Sequence, residues 1–251
     1  MIALIIVLGL VWGSFLTAFS YRLDDINSLI LSRSKCPKCG HLLGGLDLMP
    51  VLSYLVLAGH CRYCRKPIGI EYPATELVSA MIALGVYLTL GLNAPSIILF
   101  LSLSLLIVAA LNDFESQEVA LPVFVCGIIL ALIFRLWGNL NIAGVENLLL
   151  SVLVCAALPL CFAVLSREKW MGFGDIFFAV WMGIIISFPQ SLLAIFIAFF
   201  AGALFGIIYL MAHGRKKENK IPFGPFLALG TVTGLFFGGN LLEIYLKVLG
   251  L

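Results

Sequence analysis

Long apolar segments separated by short polar, Gly- or Pro-containing breaks dominate the chain. Segments of about 20 apolar residues match helices that cross a hydrocarbon core ~30 Å thick. The apolar positions are continuous rather than alternating, which favours helices over the strands of a membrane barrel. The sequence therefore predicts an all-α polytopic membrane protein with about eight transmembrane helices. They are placed near residues 1–20, 74–92, 95–112, 119–138, 146–165, 174–188, 190–212 and 226–249.

The composition supports the same class of protein. Of the 251 residues, 62% are hydrophobic and only 11% are charged. This excludes an ordinary soluble domain, whose surface needs more polar side chains than the chain contains. Membrane lipid is the expected surrounding, and the net charge of +2 gives no reason to expect a nucleic-acid partner.

The distribution of the basic residues predicts the orientation in the membrane. If the N-terminus lies outside, 13 of the 15 basic residues fall on the inner side. Basic residues favour the cytoplasmic side of a membrane. The pattern thus predicts three parts: a first transmembrane helix over 1–21, a cytoplasmic loop over 22–73 and a membrane-embedded helix bundle over 74–251. The basic residues assigned to the inside are Arg22, Arg33, Lys35, Lys38, Arg62, Arg65, Lys66, Arg167, Lys169, Arg215, Lys216, Lys217 and Lys220.

Four of the seven cysteines form two Cys-x-x-Cys pairs in the predicted loop. Cys36 pairs with Cys39, and Cys61 pairs with Cys64. Each short turn presents two thiolates to one ion, and this spacing is typical of a tetrahedral zinc site. Disulfides and redox-active thiols are the alternatives, but a reducing cytoplasm favours a metal. Because no open coordination position is evident, the zinc is expected to be structural.

Two aspartates stand at the ends of predicted spans. Asp113 closes the third span and Asp175 opens the sixth. Ionisable side chains at membrane depth are costly and therefore indicate function. Two carboxyl groups at the same depth can share one proton, so that the ionised group activates water and the protonated group supplies a proton to a leaving amine. The pattern is thus compatible with aspartic-protease chemistry.

The residues around these aspartates leave a structural interpretation open. Gly172 and Gly174 precede Asp175 and are expected to let the backbone turn sharply and approach a partner closely. In the alternative interpretation, Asp113 caps a turn together with Glu115 and Glu118. Asp175 would then be an ordinary acid at a helix N-terminus, favoured by the helix dipole.

Glu76 and the cysteines in the apolar segments are predicted to have simpler roles. Glu76 is expected either to be a first-turn acid of the second span or to line a cleft. The remaining cysteines are expected to be small buried side chains within the helices. They are Cys126, Cys155 and Cys161.

Taken in order, the motifs of the chain resemble those of the bacterial type IV prepilin peptidases, a family of membrane aspartic peptidases with a GxGD signature. The resemblance covers nearly the whole chain. The matching segments are Gly13-Ser14-Phe15-Leu16, Tyr21-Arg22-Leu23, 34–40, 50–54, Gly59, Cys61, Cys64, Tyr72-Pro73, Glu76, Gly172-Phe173-Gly174-Asp175, 222–225 and Ala228-Leu229-Gly230. Thr17 departs from the pattern, because the family usually has Asn at that position.

The resemblance implies a specific activity and location. Asp113 and Asp175 would be the catalytic pair of an endopeptidase that cleaves the basic leader of type IV prepilins or type II secretion pseudopilins after a Gly. It also implies N-methylation of the new N-terminus with S-adenosylmethionine. No Gly-rich nucleotide loop is evident, so the sequence assigns no residue to the methyl donor. The resemblance places the protein in the bacterial cytoplasmic (inner) membrane, with the active site facing the cytoplasm.

Two other functions are compatible with paired membrane aspartates. The first is another GxGD intramembrane protease, but such an enzyme would lack the loop that contains Cys36 to Cys64. The second is a transporter in which both aspartates bind ions. Transporters tend to place ionisable groups near the bilayer midplane in repeated halves. Here the aspartates stand at the ends of spans, and no repeat is evident.

Overall fold

Helices account for nearly all the regular secondary structure in the residues that the computed structural model describes, which are 1–23, 33–117, 119–137, 142–167, 171–213 and 222–249. Within these ranges there are nine helices and two isolated β-bridges, but no extended strand. The helices are α1 (Ile2–Ser20), α2 (Leu52–Val56), α3 (Glu71–Leu90), α4 (Ala94–Glu115), α5 (Leu121–Trp137), α6 (Ile142–Ser166), α7 (Phe173–Ile185), α8 (Gln190–His213) and α9 (Gly224–Leu249).

Eight of these helices coincide with the eight predicted spans. Six of them, α1, α3, α4, α6, α8 and α9, are long and apolar enough to cross a membrane. The apolar helices α5 and α7 have 17 and 13 residues, which is shorter than the ~20 residues of a typical span. The prediction of an all-α polytopic membrane protein is confirmed, and the count of eight is approximate. Helix α2, which lies in the polar loop, was not predicted.

The chain divides into two compact units, Met1–Ser96 and Ile97–Leu251. In the first unit, α1 packs along α3. A Cβ atom at Gly9 would lie 2.6 Å from the Cα atom of Ala80, and one at Gly13 would lie 2.6 Å from the Cα atom of Glu76. This Gly-x-x-x-Gly spacing puts both glycines on one face of α1, so that the two helix backbones can approach closely.

In the second unit, α7 packs against α5, α6 and α9. Its Trp181 side chain is fully buried, and Nε1 of the indole donates a hydrogen bond to Oγ of Ser102 in α4 at 2.9 Å. Oγ of Ser102 in turn donates to the carbonyl oxygen of Gly127 in α5 at 3.0 Å. Since the Trp181 ring occupies the space where a Gly127 side chain would lie, these contacts fix the position of α7 against α4 and α5.

The cysteines of the spans differ in their surroundings. Cys155 in α6 is buried, as predicted, whereas Cys126 in α5 and Cys161 in α6 are exposed, so the prediction of burial was wrong for these two. A helix at the edge of a bundle buries only the face toward its neighbours. Both exposed thiols lie outside that face.

Candidate active site and candidate metal centre

Asp175 lies at the beginning of α7, where its side chain caps the helix. Gly172 is the N-cap residue, and its backbone amide donates to Oδ2 of Asp175 at 3.1 Å. The residue is 9% exposed. A negative charge at a helix N-terminus interacts favourably with the helix dipole. Oδ1 makes no hydrogen bond with any of the described residues, so one carboxyl oxygen is held and the other stays available.

Asp113 lies in the last turn of α4 and is held by a residue distant in sequence. The backbone amide of Gly224, the first residue of α9, donates to its Oδ2 at 2.8 Å. A Cβ atom at Gly224 would lie 2.7 Å from that same oxygen and 2.6 Å from the Phe178 ring of α7. Only a glycine can therefore bring this amide against Asp113 while α7 packs on its other side.

The two aspartates are brought together by the second unit. The Asp113 carboxyl group interacts electrostatically with that of Asp175. Gly224 contacts both Asp113 and Phe178, and Phe178 lies one helical turn after Asp175. The structure thus brings together two carboxyl groups, one from α4 and one from α7, each with Oδ2 hydrogen-bonded to a glycine amide. Glu118, which the structural interpretation of Asp113 invoked, lies outside the described residues.

The two glycines of the GxGD segment have different surroundings. A Cβ atom at Gly174 would lie 2.9 Å from Cγ2 of Val119, so Gly174 allows the segment after α4 to approach α7. Gly172 has an ordinary extended backbone with φ −85° and ψ 164°, and a Cβ atom there would meet no side chain. The expectation of a close approach is confirmed for Gly174, whereas no such contact explains Gly172.

The four loop cysteines form one cluster. The sulfur atoms of Cys36, Cys39, Cys61 and Cys64 all lie within 4.8 Å of one another. With Zn–S bonds of about 2.3 Å, a tetrahedral site needs sulfur separations of roughly 3.8 Å. Four thiolates are also the donor set that zinc prefers in closed structural sites. The residues present therefore fit one zinc ion.

The turns around the cysteines prepare a thiolate. Burial opposes ionisation of the Cys36 thiol, but hydrogen bonds from the backbone amides of Lys38 and Cys39 and from neighbouring thiols lower its pKa to about 7. The pKa of the neighbouring Cys39 thiol is raised to about 11, so the metal-free cluster favours one thiolate at Cys36. Each pair also sits in a closed turn: the amide of Gly40 donates to the carbonyl of Cys36 at 2.8 Å, and the amide of Arg65 donates to that of Cys61 at 2.9 Å. The thiolate is the form that binds metal.

Asp47, which the sequence did not single out, connects the two halves of the loop. Its carboxyl group accepts hydrogen bonds from the Gly44 amide and the Tyr63 hydroxyl, both at 3.1 Å, and forms an ion pair of 2.8 Å with Arg62. Burial opposes its ionisation, yet these contacts hold the pKa of Asp47 below its usual value. The signal was present in the sequence, because Asp47 is the only acidic residue between the first and last loop cysteines.

Glu76 does not simply cap the first turn of α3. Its side chain is 8% exposed, and Oε2 accepts a hydrogen bond of 2.7 Å from the backbone amide of Val51. A side-chain hydrogen bond also links it to Ser14 of α1. Val51 has a positive φ of 60° and is the residue immediately before α2. Glu76 therefore attaches the end of the loop to both long helices of the first unit.

The long apolar helices define a multi-pass membrane protein. The family model described as "Bacterial Peptidase A24 N-terminal domain" matches residues 7–90, and the one described as "Type IV leader peptidase family" matches residues 99–207. The chain belongs to the type IV leader peptidase family. These matches do not favour the transporter or another GxGD protease, because the family models cover both the loop and the bundle.

Curated relatives extend over most of the chain. A protein of Burkholderia pseudomallei named "Prepilin leader peptidase/N-methyltransferase" is 32% identical, over 94% of this chain and 85% of its own length. Proteins with the same name from Bacillus subtilis and Pseudomonas aeruginosa are 27% and 28% identical. The matches cover 99% of both chains for the Bacillus protein, and 98% of this chain and 93% of the relative for the Pseudomonas protein. No solved structure is significantly similar to the chain.

Proposed function

We propose that this protein is a membrane aspartic endopeptidase with Asp113 and Asp175 as its catalytic pair. It cleaves the basic leader of type IV prepilins or type II secretion pseudopilins after a Gly and N-methylates the new N-terminus. S-adenosylmethionine supplies the methyl group when bound. Membership of the leader peptidase family and the names of the relatives support this activity. None of the described side chains can be assigned to binding of the methyl donor.

One observation carries the assignment of the catalytic pair. Gly224, which donates to Asp113, also lies against Phe178, one helical turn after Asp175, and each carboxyl group uses one oxygen to accept a hydrogen bond from a glycine amide. A purely structural cap would explain Asp175, but it would not explain why Gly224 brings a second carboxyl group to the same place. This arrangement supports a pair that acts on one water molecule.

The chemistry follows from one shared proton. The ionised carboxylate removes a proton from water as the water attacks the carbonyl carbon of the scissile bond, and the protonated partner donates to the leaving nitrogen. The amides of Gly172 and Gly224 keep both groups oriented throughout. Burial of Asp175 limits competition from bulk water.

The loop and the membrane orientation complete the proposal. Zinc held by Cys36, Cys39, Cys61 and Cys64 is structural, since four thiolates leave no open position for a substrate. The excess of basic residues in the inner segments supports a cytoplasmic loop and an active site that faces the cytoplasm of a bacterial inner membrane. The basic leader of the substrate would remain on that same side.

A reconstitution experiment tests the function. The purified chain is mixed in detergent with a leader-bearing prepilin and S-adenosylmethionine, and the products are measured by mass spectrometry. We expect loss of the leader and, in the presence of the methyl donor, the added mass of one methyl group on the mature N-terminus. A prepilin in which a bulky residue replaces the Gly before the cleavage site is the control and should stay intact.

The two activities are separated in the same experiment. Cleavage without methylation would remove the transferase part of the proposal and retain the peptidase. An intact natural prepilin, in the presence of folded protein, would contradict the proposed function as a whole.

A further inference from the structure

The short helix α2 presents an apolar surface that none of the described residues covers. We define the α2 apolar face as Leu52, Leu55 and Val56, whose exposed fractions are 56%, 66% and 80%. No α2 residue is buried. Single exposed apolar residues are ordinary, but three of the five residues of one helix form a contiguous patch of the kind that marks an interaction surface.

The attachment of α2 sets its depth relative to the membrane. The Val51 amide, immediately before α2, is bonded to the buried carboxylate of Glu76 at 2.7 Å. Glu76 lies five residues after the first residue of α3, a helix of 20 residues that is long enough to cross the membrane. At about 1.5 Å per residue, α3 is roughly as long as the hydrocarbon core is thick. The bond therefore holds α2 level with the first two turns of α3, at the membrane surface.

Basic side chains accompany the α2 apolar face. Leu57, directly after α2, lines a shallow surface depression together with Arg62 and Arg65. Arg62 is paired with Asp47, whereas Arg65 and the neighbouring Lys66 are exposed and have no ion-pair partner among the described residues. Unpaired cations beside an apolar patch at this depth are complementary to an anionic lipid surface.

The lipid-facing surface of the first unit continues to this region. Ile70, the residue before α3, is 69% exposed, and Leu77 and Met81 on α3 are 47% and 61% exposed. Leu77 and Met81 thus face outward from a helix that is long and apolar enough to span the membrane, and Ile70 continues this apolar surface beyond its first residue. The apolar surface of α3 that faces lipid thus extends to the depth at which the Glu76 hydrogen bond holds α2.

We propose that α2 is an interfacial membrane anchor of the zinc loop. Leu52, Leu55 and Val56 insert at the boundary between headgroups and acyl chains, and Arg65 and Lys66 contact the phosphates of anionic lipids. The anchor keeps the loop against the bilayer on the side where it emerges. This inference depends on the membrane-spanning α3 and the Glu76 contact, and it is independent of the cleavage activity.

Photo-crosslinking tests the anchor in the full-length, zinc-loaded protein. p-Benzoylphenylalanine replaces Val56 in one variant and Lys38, an exposed residue of the first cysteine turn, in the control. Both proteins are irradiated in nanodiscs of phosphatidylcholine with or without phosphatidylglycerol, and the adducts are identified by mass spectrometry. We expect lipid adducts at position 56 in at least fivefold excess over position 38.

The same experiment can overturn the proposal. Adducts of position 56 mainly with peptides from residues 97–251, or with an added prepilin rather than lipid, would show that a protein surface covers α2. Equal lipid yields at the two positions would also contradict it.

A further variant tests the contribution of charge. In the double variant Arg65→Gln and Lys66→Gln, the yield of lipid adducts at position 56 should fall at least twofold in the nanodiscs that contain phosphatidylglycerol. In phosphatidylcholine alone, that yield should change little. A yield that is independent of phosphatidylglycerol in the parent protein would contradict the anionic headgroup contact.

Discussion

Each proposed catalytic carboxyl group is oriented by the backbone amide of a glycine. Gly172 donates to Asp175 within one helical turn, whereas Gly224 donates to Asp113 across 111 residues of sequence. Hydrogen bonds to an ionised carboxylate are stronger than those between neutral groups. A backbone donor also cannot rotate away. At the residue scale, the site is a pair of carboxyl groups with one fixed and one available oxygen each.

Gly224→Ala should damage the site directly. The added Cβ atom would lie 2.7 Å from Oδ2 of Asp113 and 2.6 Å from the Phe178 ring, so that α9 must shift and the amide is withdrawn. We expect kcat/KM for prepilin cleavage to fall at least about tenfold, or about 1.4 kcal/mol of transition-state stabilisation. Cleavage rates of purified protein measure this loss.

Gly239→Ala is the matched control on the same helix. A Cβ atom at Gly239 meets nothing within 4 Å. The Gly239→Ala variant should therefore cleave prepilin at close to the parent rate. Equal losses in the two variants would mean that α9 tolerates no alanine at all and that the Gly224 contact has no specific role.

At the scale of elements, the zinc loop consists of two cysteine turns joined by Asp47. Without metal, the cluster would depend on hydrogen bonds and one ion pair, which are weak where they are exposed. With metal, the free energy of binding becomes folding free energy of the loop. Loss of one cysteine ligand is therefore expected to unfold the loop, whereas the helices of the bundle do not depend on the metal.

Cys39→Ser should remove the zinc. Metal analysis of the parent protein is expected to give about one zinc per chain, because four thiolates complete one tetrahedral site. The variant should lose most of that zinc, and its loop should become sensitive to limited proteolysis. Cys126→Ser, at an exposed position of α5, is the control and should retain the metal. A parent protein with intact thiols and no zinc would contradict the assignment.

Asp47→Asn should weaken the loop without removing a ligand. It keeps the shape of the side chain but loses the charge that pairs with Arg62. We expect zinc content to be unchanged and its removal by a chelator to be about tenfold faster, since partners outside the ligand set typically change metal affinity by that factor or more. Tyr63→Phe, which removes one hydrogen bond, should show a smaller increase. Identical release from all three proteins would show that Asp47 does not position the loop.

The sequence predicted the long helices well and the contacts between them poorly. Apolar length and periodicity depend on local residues, so α1, α3, α4 and α6 were placed within a few residues. The five-residue α2 has no such signal. The bond from Gly224 to Asp113 and the bond from Val51 to Glu76 join positions that are distant in sequence, and no local pattern specifies them.

Some features could have been found by closer inspection. Gly9 and Gly13 stand four residues apart in an apolar helix, which is a known signal for close helix packing. Asp47 is the only acidic residue between the loop cysteines. The Cys-x-x-Cys pairs and the GxGD segment were found because their chemistry requires a fixed spacing.

For the whole molecule, the distribution of basic residues predicts that both termini lie outside. An introduced cysteine at position 141 should react with an impermeant maleimide on intact cells, and one at position 214 should not, in a background with Cys126→Ser and Cys161→Ser. Both labelled positions lie outside the described residues. The zinc cysteines are kept, and the labelling of this background without an introduced cysteine is subtracted, because those thiols would be within reach of the reagent in the opposite orientation. Labelling at position 214 alone would mean the opposite orientation.

The most direct test of the account is the cleavage of a prepilin by variants of the two aspartates. Asp113→Asn and Asp175→Asn preserve shape but remove the ability to hold charge and transfer a proton. Both should insert and fold, and both should be inactive. The double variant should be scarcely worse than either single one, because residues of one catalytic unit are strongly non-additive. Glu115→Gln, two residues from Asp113, should keep most activity. A folded Asp175→Asn or Asp113→Asn variant that still cleaves would contradict the aspartic-peptidase account.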